Sequence, residues 1–233
     1  MLKKDLILRN PLQHLTQECE DILPHGGFGA VVARAGVGKT ALLVQLALNS
    51  LLRSKNVLHI SLGDPIKKVN LWYEEVFNRI ARQCENAQMT RIWEEILPHR
   101  FIMTFQVDDF SVPKLEERLT DLMEQNIFSP QTIMIDGFPF DASVHSSFSD
   151  LKTLAKNQSM HVWFTVRSHR HEEPGTDGEP VQISGIADLF EVIIHLRPEK
   201  DEINVQTLKG GPVGADFPIL KLDPETMLLV NTP

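Results

Sequence analysis

Apolar stretches of strand length recur along this chain, and stretches of helical length separate them. The strand-like runs are Ala30 to Ala33, NVLHISL (Asn56 to Leu62), RFIMTFQ (Arg100 to Gln106), TIMID (Thr132 to Asp136), HVWFTV (His161 to Val166) and EVIIHLR (Glu191 to Arg197). Most are apolar throughout rather than alternating. That pattern belongs to strands covered on both faces, as in parallel sheets with crossover helices. The intervening helices are expected at Lys39 to Arg53, Ile66 to Asn86, Arg91 to Leu97, Lys114 to Gln125 and Ser147 to Asn157. The tail breaks the alternation. INVQTLKG, FPILKL and MLLV are short strand-like runs separated by turns, the signature of an antiparallel meander. The chain should therefore fold as an α/β protein with a mostly parallel central sheet, flanking helices and antiparallel C-terminal strands.

No Gly/Pro/Ser-rich linker divides the 233 residues, which suits one domain. We read residues 1–25 as a lead-in segment and 26–233 as the core. With 23 Lys and Arg against 31 Asp and Glu, the formal net charge is −8. This balance gives no strong nucleic-acid signal, because affinity for phosphate backbones rests on clustered cations. Cys19 and Cys84 form no metal-ligand or redox spacing. The first residues carry charge without a long apolar run, so no signal peptide is expected. The most apolar stretch, Ala41 to Leu52, is broken by Gln45, Asn49 and Ser50 and falls short of the ~20 residues of a membrane span. A soluble, cytoplasmic protein that binds no membrane is the expectation.

In parallel α/β sheets, ligands sit at the carboxyl ends of the strands. The strongest local signal lies at such a place. ARAGVGKT (Ala33 to Thr40) fits the Walker A pattern, with Ala33 where a first Gly is usual. Gly36 and Gly38 permit backbone torsions that other residues resist. Successive N–H groups of Arg34, Ala35, Gly36, Val37, Gly38, Lys39, Thr40 and Ala41 can then form an anion nest, reinforced by a helix N-terminus. Lys39 is placed to reach the β- and γ-phosphates of a nucleotide, and Thr40 offers a hydroxyl to Mg²⁺. Asp136 ends an apolar strand 97 residues after Lys39. A carboxylate there matches the Walker B arrangement and is a second magnesium residue.

These stretches, in this order, resemble the RecA-like ATPases, within them the branch of KaiC, RadA and the replicative helicase DnaB. GGFGAVVARAGVGKTALLVQLAL looks like the opening strand, loop and helix. NVLHISLGD, TIMIDG, VQISGIADLFEVIIHL, LKGGPVG and FPILKLDPETMLLV resemble later segments, and the likeness covers about residues 26–230. The resemblance implies a RecA-like P-loop fold and binding of ATP or ADP with Mg²⁺. It also implies a homo-oligomer of ring or filament type, with nucleotide at the subunit interface.

The departures from the family pattern shape the expected chemistry. Where the family has a catalytic glutamate after Ser-Leu, this chain has Gly63 and then Asp64. Asp64 is either a displaced base or a cap for the helix that begins after Pro65. A general base contributes about 10²–10⁴-fold, so its loss implies slow hydrolysis to ADP and phosphate, or a regulator that binds without turnover. The family's trans-acting Lys and Arg correspond to Thr207 and Lys209. Lys209 is either a weakened finger or an exposed hairpin lysine. Trp72 falls where helicase relatives contact the base, and is either a stacking residue or core. Thr165 and Arg167 fall at the polar sensor. Arg167, His169, Arg170 and His171 form a basic loop that faces phosphate, serves a partner or is simply solvated.

Overall fold

The computed structural model describes residues 2–8, 10–15, 21–81, 86–140, 144–168, 180–210 and 219–231. Cys19, Cys84, His169, Arg170 and His171, and the Gly-Pro part of LKGGPVG, lie outside the described residues. Among the described residues nine strands form one sheet: β1 (Phe28–Ala33), β2 (Val57–Ser61), β3 (Arg100–Thr104), β4 (Thr132–Asp136), β5 (His161–Arg167), β6 (Val192–Glu199), β7 (Glu202–Lys209), β8 (Leu220–Leu222) and β9 (Leu229–Asn231). Their spatial order is β3-β2-β4-β5-β1-β6-β7-β8-β9. The pairings from β3 across to β6 are parallel. From β6 to β9 they are antiparallel, as the meander in the tail predicts.

The helices are α1 (Leu2–Leu8), α2 (Lys39–Leu52), α3 (Ile66–Ala81), α4 (Asn86–Ile96), α5 (Val112–Glu124) and α6 (Val144–Asn157). The period of two along each strand sorts its side chains between two apolar clusters, one on each face. Val31, Ala33 and Met134 share one cluster with α2, α3 and α4. Ala30, Val32, Ile133 and Ile135 share the other with α5 and α6. Helix α2 is buried over most of its circumference, from Ala41 to Leu48 without a break. The lead-in explains why, since Leu6, Leu12 and Leu15 belong to the same cluster. Among the described residues no helix is long and apolar enough to cross a membrane.

The second cluster holds a knot of phenylalanines, Phe28, Phe138, Phe148, Phe164 and Phe190, that meet edge to face or tilted, with Phe138 and Phe148 edge to face at 5.0 Å between ring centroids. Lys152 enters it. Lys152 Nζ lies 4.4 Å from the Phe28 ring centroid. It donates to Glu191 at 2.6 and 2.7 Å and to the Leu189 carbonyl at 2.8 Å. Glu191 also accepts the Phe28 amide at 2.6 Å, which ties α6 and the entry to β6 onto the start of β1.

Candidate functional site

The glycine-rich segment from Arg34 to Gly38 leaves the carboxyl end of β1 and enters α2 directly. Gly36 has φ +79° and Gly38 φ +109°, both in the region that L side chains avoid. Gly38 has a second constraint. A Cβ there would lie 2.5 Å from Leu222 Cδ2 and 3.2 Å from Met227 Sδ, so the meander packs against the loop from behind. Lys39 folds back across the turn, donating to the carbonyls of Ala33 at 3.0 Å and Arg34 at 2.9 Å. Its amine is held below the ordinary lysine range chiefly by burial; the Asp136 charge opposes this and Arg167 adds to it.

Thr40 and Asp136, separated by 96 positions, meet at this point. The Thr40 hydroxyl donates to Asp136 Oδ2 at 2.8 Å. The Thr165 hydroxyl donates to Asp136 Oδ1 at 2.6 Å and accepts the Gly137 amide at 3.0 Å. The sheet order accounts for the geometry: β4 lies two strands from β1, with β5 and its Thr165 between them. Adjacent strands are spaced by about 4.8 Å, so Asp136 stands across a gap that the start of α2 reaches over. Arg167 pairs in register with Ala33 and is exposed beside the loop. The structure thus brings together Arg34 to Ala41, Asp136, Thr165 and Arg167.

The oxygen pair of Thr40 and Asp136 has the hard-donor chemistry that suits Mg²⁺, which takes few protein ligands and completes its shell with water and phosphate oxygens. Among the described residues no group of three or more His, Cys, Asp or Glu could hold a metal ion.

Other candidates fall elsewhere. Asp64 receives Lys68 Nζ at 2.9 Å, one helical turn on. Its amide and carbonyl are both bound to Ser61 Oγ, at 3.0 and 2.9 Å. The position of Gly63 is open, with nothing within 4 Å of where a Cβ would stand. Trp72 packs half-buried against the apolar cluster of α2 and α3. Lys209 donates to the Ala187 carbonyl at 2.8 Å. It pairs with Ile193, itself level with Ala30, so Lys209 lies below the carboxyl end of β1 and beyond β6.

Two polar groups near the site carry no motif. His195 pairs with Val32, and its ring is held below the ordinary histidine range by burial and by the charges of Arg197 and Arg34. His59, in β2, is wholly buried; its Nδ1 stands 3.1 Å from the Tyr73 hydroxyl. Burial pushes His59 down to about 4, opposed by Asp136 and assisted by Arg100. A histidine inside an otherwise apolar run was the available signal, but the run does not reveal what faces it. Comparison of the chain with protein-family models and with curated proteins finds no match.

Proposed function

We propose that this chain is a RecA-like ATP-binding protein that hydrolyses ATP slowly to ADP and phosphate with Mg²⁺. The observation that carries the reading is the 2.8 Å hydrogen bond between Thr40, at the mouth of the glycine loop, and Asp136, at the end of a separate strand. A helix that opens after Gly38 directs backbone N–H groups and positive potential at an incoming anion. Lys39 would release the carbonyls of Ala33 and Arg34 to turn to the β- and γ-phosphates. Mg²⁺, once bound, would neutralise charge that develops on the phosphate oxygens. Thr40 and Asp136 would hold it, Thr165 would orient Asp136, and Arg167 would add positive charge at the rim.

The end of β2, the strand paired with β4 at Ser61 and Asp136, supports slow turnover. Gly63 bears no base, and the carboxylate of Asp64 is engaged by Lys68. The same observation favours a second reading, a nucleotide-dependent regulatory or interaction module that binds ATP without cleaving it. The family resemblance further implies a head-to-tail homo-oligomer. In that assembly Lys209 would leave Ala187 and face the nucleotide of the adjoining subunit, without the bidentate fork of an arginine.

A phosphate-release assay on wild type and Lys39→Ala, run across protein concentrations, tests these statements together. Release above the Lys39→Ala background supports hydrolysis, and specific activity rising with concentration supports a shared site. Saturable ATP binding with no release above that background selects the regulatory reading. Wild-type release by Lys39→Ala would refute the assignment.

A further inference from the structure

The sheet topology opens a crevice at the ends of β2 and β3, which lie on the other side of β4 from β1. Strands β2 and β3 are parallel neighbours, with Val57 to Ser61 beside Arg100 to Thr104. After β2 the chain turns to one face, where Val69, Tyr73 and Val76 of α3 are buried with α2. After β3 it turns to the other, where Val112, Leu115 and Leu119 of α5 are buried. Connections that part in this way leave a crevice outside the carboxyl ends of the two strands, the usual location of ligands in such sheets. Here it is a cleft of about 840 Å³, bounded by Gly63 and Asp64, by Thr104 and Gln106, and by the exposed face of α5. That volume is the size of small-molecule sites, roughly 300–1,000 Å³, and far more than a single ion needs.

Its walls are built. The Leu62 amide donates to the Asp136 carbonyl at 2.9 Å and the Phe105 amide to the Ser61 carbonyl at 3.0 Å. Phe105 and Phe110 meet edge to face at 5.4 Å, and Phe110 meets Phe138 at 5.6 Å. Ser111 caps α5 by accepting the Lys114 amide. The charges on these walls have both signs. Lys114 and Arg118 stand one helical turn apart on α5, and Glu117 lies between them. Asp109 faces Lys114 across a loose 3.8 Å pair, with both side chains more than half exposed.

We infer that this crevice is a binding site for a small zwitterion of amino-acid type. Its carboxylate would be taken by Arg118 and Lys114, and its ammonium by Asp109 and Glu117. A site for a simple anion would lack the two acids, and a site for a cation would lack the Arg–Lys pair. The inference uses none of the glycine-loop residues, but the crevice is edged by Gly63 and Asp64, where the nucleotide reading seeks a base, so the test is run without nucleotide.

The test is a titration of the ¹⁵N-labelled full chain, without nucleotide, with each of the twenty L-amino acids. Inorganic phosphate and ammonium serve as single-charge controls. At least one amino acid should shift the amides of Gly63, Asp64, Gln106 and Lys114 saturably, with neither control doing so. Arg118→Ala and Glu117→Gln should each raise its Kd at least tenfold while leaving the melting temperature unchanged, because both side chains are exposed. If no amino acid saturates, if phosphate alone reproduces the response, or if both variants bind like wild type, the inference is overturned.

Discussion

Substituting Gly38 by alanine tests the coupling between the glycine loop and the C-terminal meander. Two costs are expected. The backbone at φ +109° is a conformation that L residues rarely adopt, and holding one there costs about 1–3 kcal/mol. The new methyl would also stand 2.5 Å from Leu222 Cδ2. Leu222 is wholly buried and pairs with Ile203 and Leu229 in the strands beside it, so it cannot simply swing away. Overpacking of this kind costs about 1–3 kcal/mol. Together these give a loss of roughly 2–6 kcal/mol, measured as a shifted urea midpoint at constant slope. Two controls separate the contributions. Gly36→Ala carries only the backbone cost, because nothing lies within 4 Å of its Cβ position. Gly63→Ala is equally open and has no positive φ, so it should be near neutral. Adding Leu222→Val to Gly38→Ala should recover part of the packing cost, a coupling that a double-mutant cycle reads directly. If Gly38→Ala were no more destabilising than Gly36→Ala, the proposed packing of the meander behind the loop would be refuted.

Gly63→Glu places a carboxylate where the family resemblance implies one, at a position with nothing within 4 Å of its Cβ. Phosphate release should rise at least tenfold, and an unchanged rate would show that the missing base is not what limits turnover. Lys152→Met leaves Glu191 and the Leu189 carbonyl without their cation. A loss of about 3 kcal/mol is expected from chemical denaturation, at the low end for a broken buried pair because Glu191 keeps some solvent; a loss under ~1 kcal/mol would mean the pair is screened. His59 is pushed down to about 4 from an ordinary 6.5. The unfolded chain therefore binds the extra proton first, and up to roughly 3 kcal/mol of stability should disappear as the pH falls from about 6.5 to 4. His59→Phe should flatten that part of the pH–stability curve, and an unaltered slope would assign it to other groups.

The fold was legible wherever burial on both faces left a continuous apolar run. Val57–Ser61, Thr132–Asp136 and His161–Arg167 form strands within a residue or two of their sequence-based bounds. The helix expected over Ile66 to Asn86 is described as far as Ala81, residues 82–85 lie outside the described residues, and a further helix is described from Asn86. The glycine loop could be read because its chemistry is local: a strand, a turn and a helix within a dozen positions. Asp136 was legible as a strand-terminal carboxylate, but its partners were not. Thr40 and Thr165 reach it only because β5 lies between β1 and β4, an arrangement fixed by tertiary packing. Asp64 shows the same limit from the other side, since both a base and a helix cap begin with Asp-Pro. Its contacts with Ser61 and Lys68 come from the turn geometry that follows. The burial of His59 against Tyr73 and the proximity of His195 to Arg34 depend on register between distant strands, which a single chain does not display.

The central claim is that the turn from Arg34 to Ala41, with Asp136 across from it, binds magnesium nucleotide. Isothermal titration of wild-type protein and Lys39→Ala with ATP and Mg²⁺ tests it most directly. The account predicts saturable binding of one ATP per chain, weakened at least tenfold by Lys39→Ala and weakened again when Mg²⁺ is withheld. Absence of binding by the wild type, or equal affinity in Lys39→Ala, would contradict it.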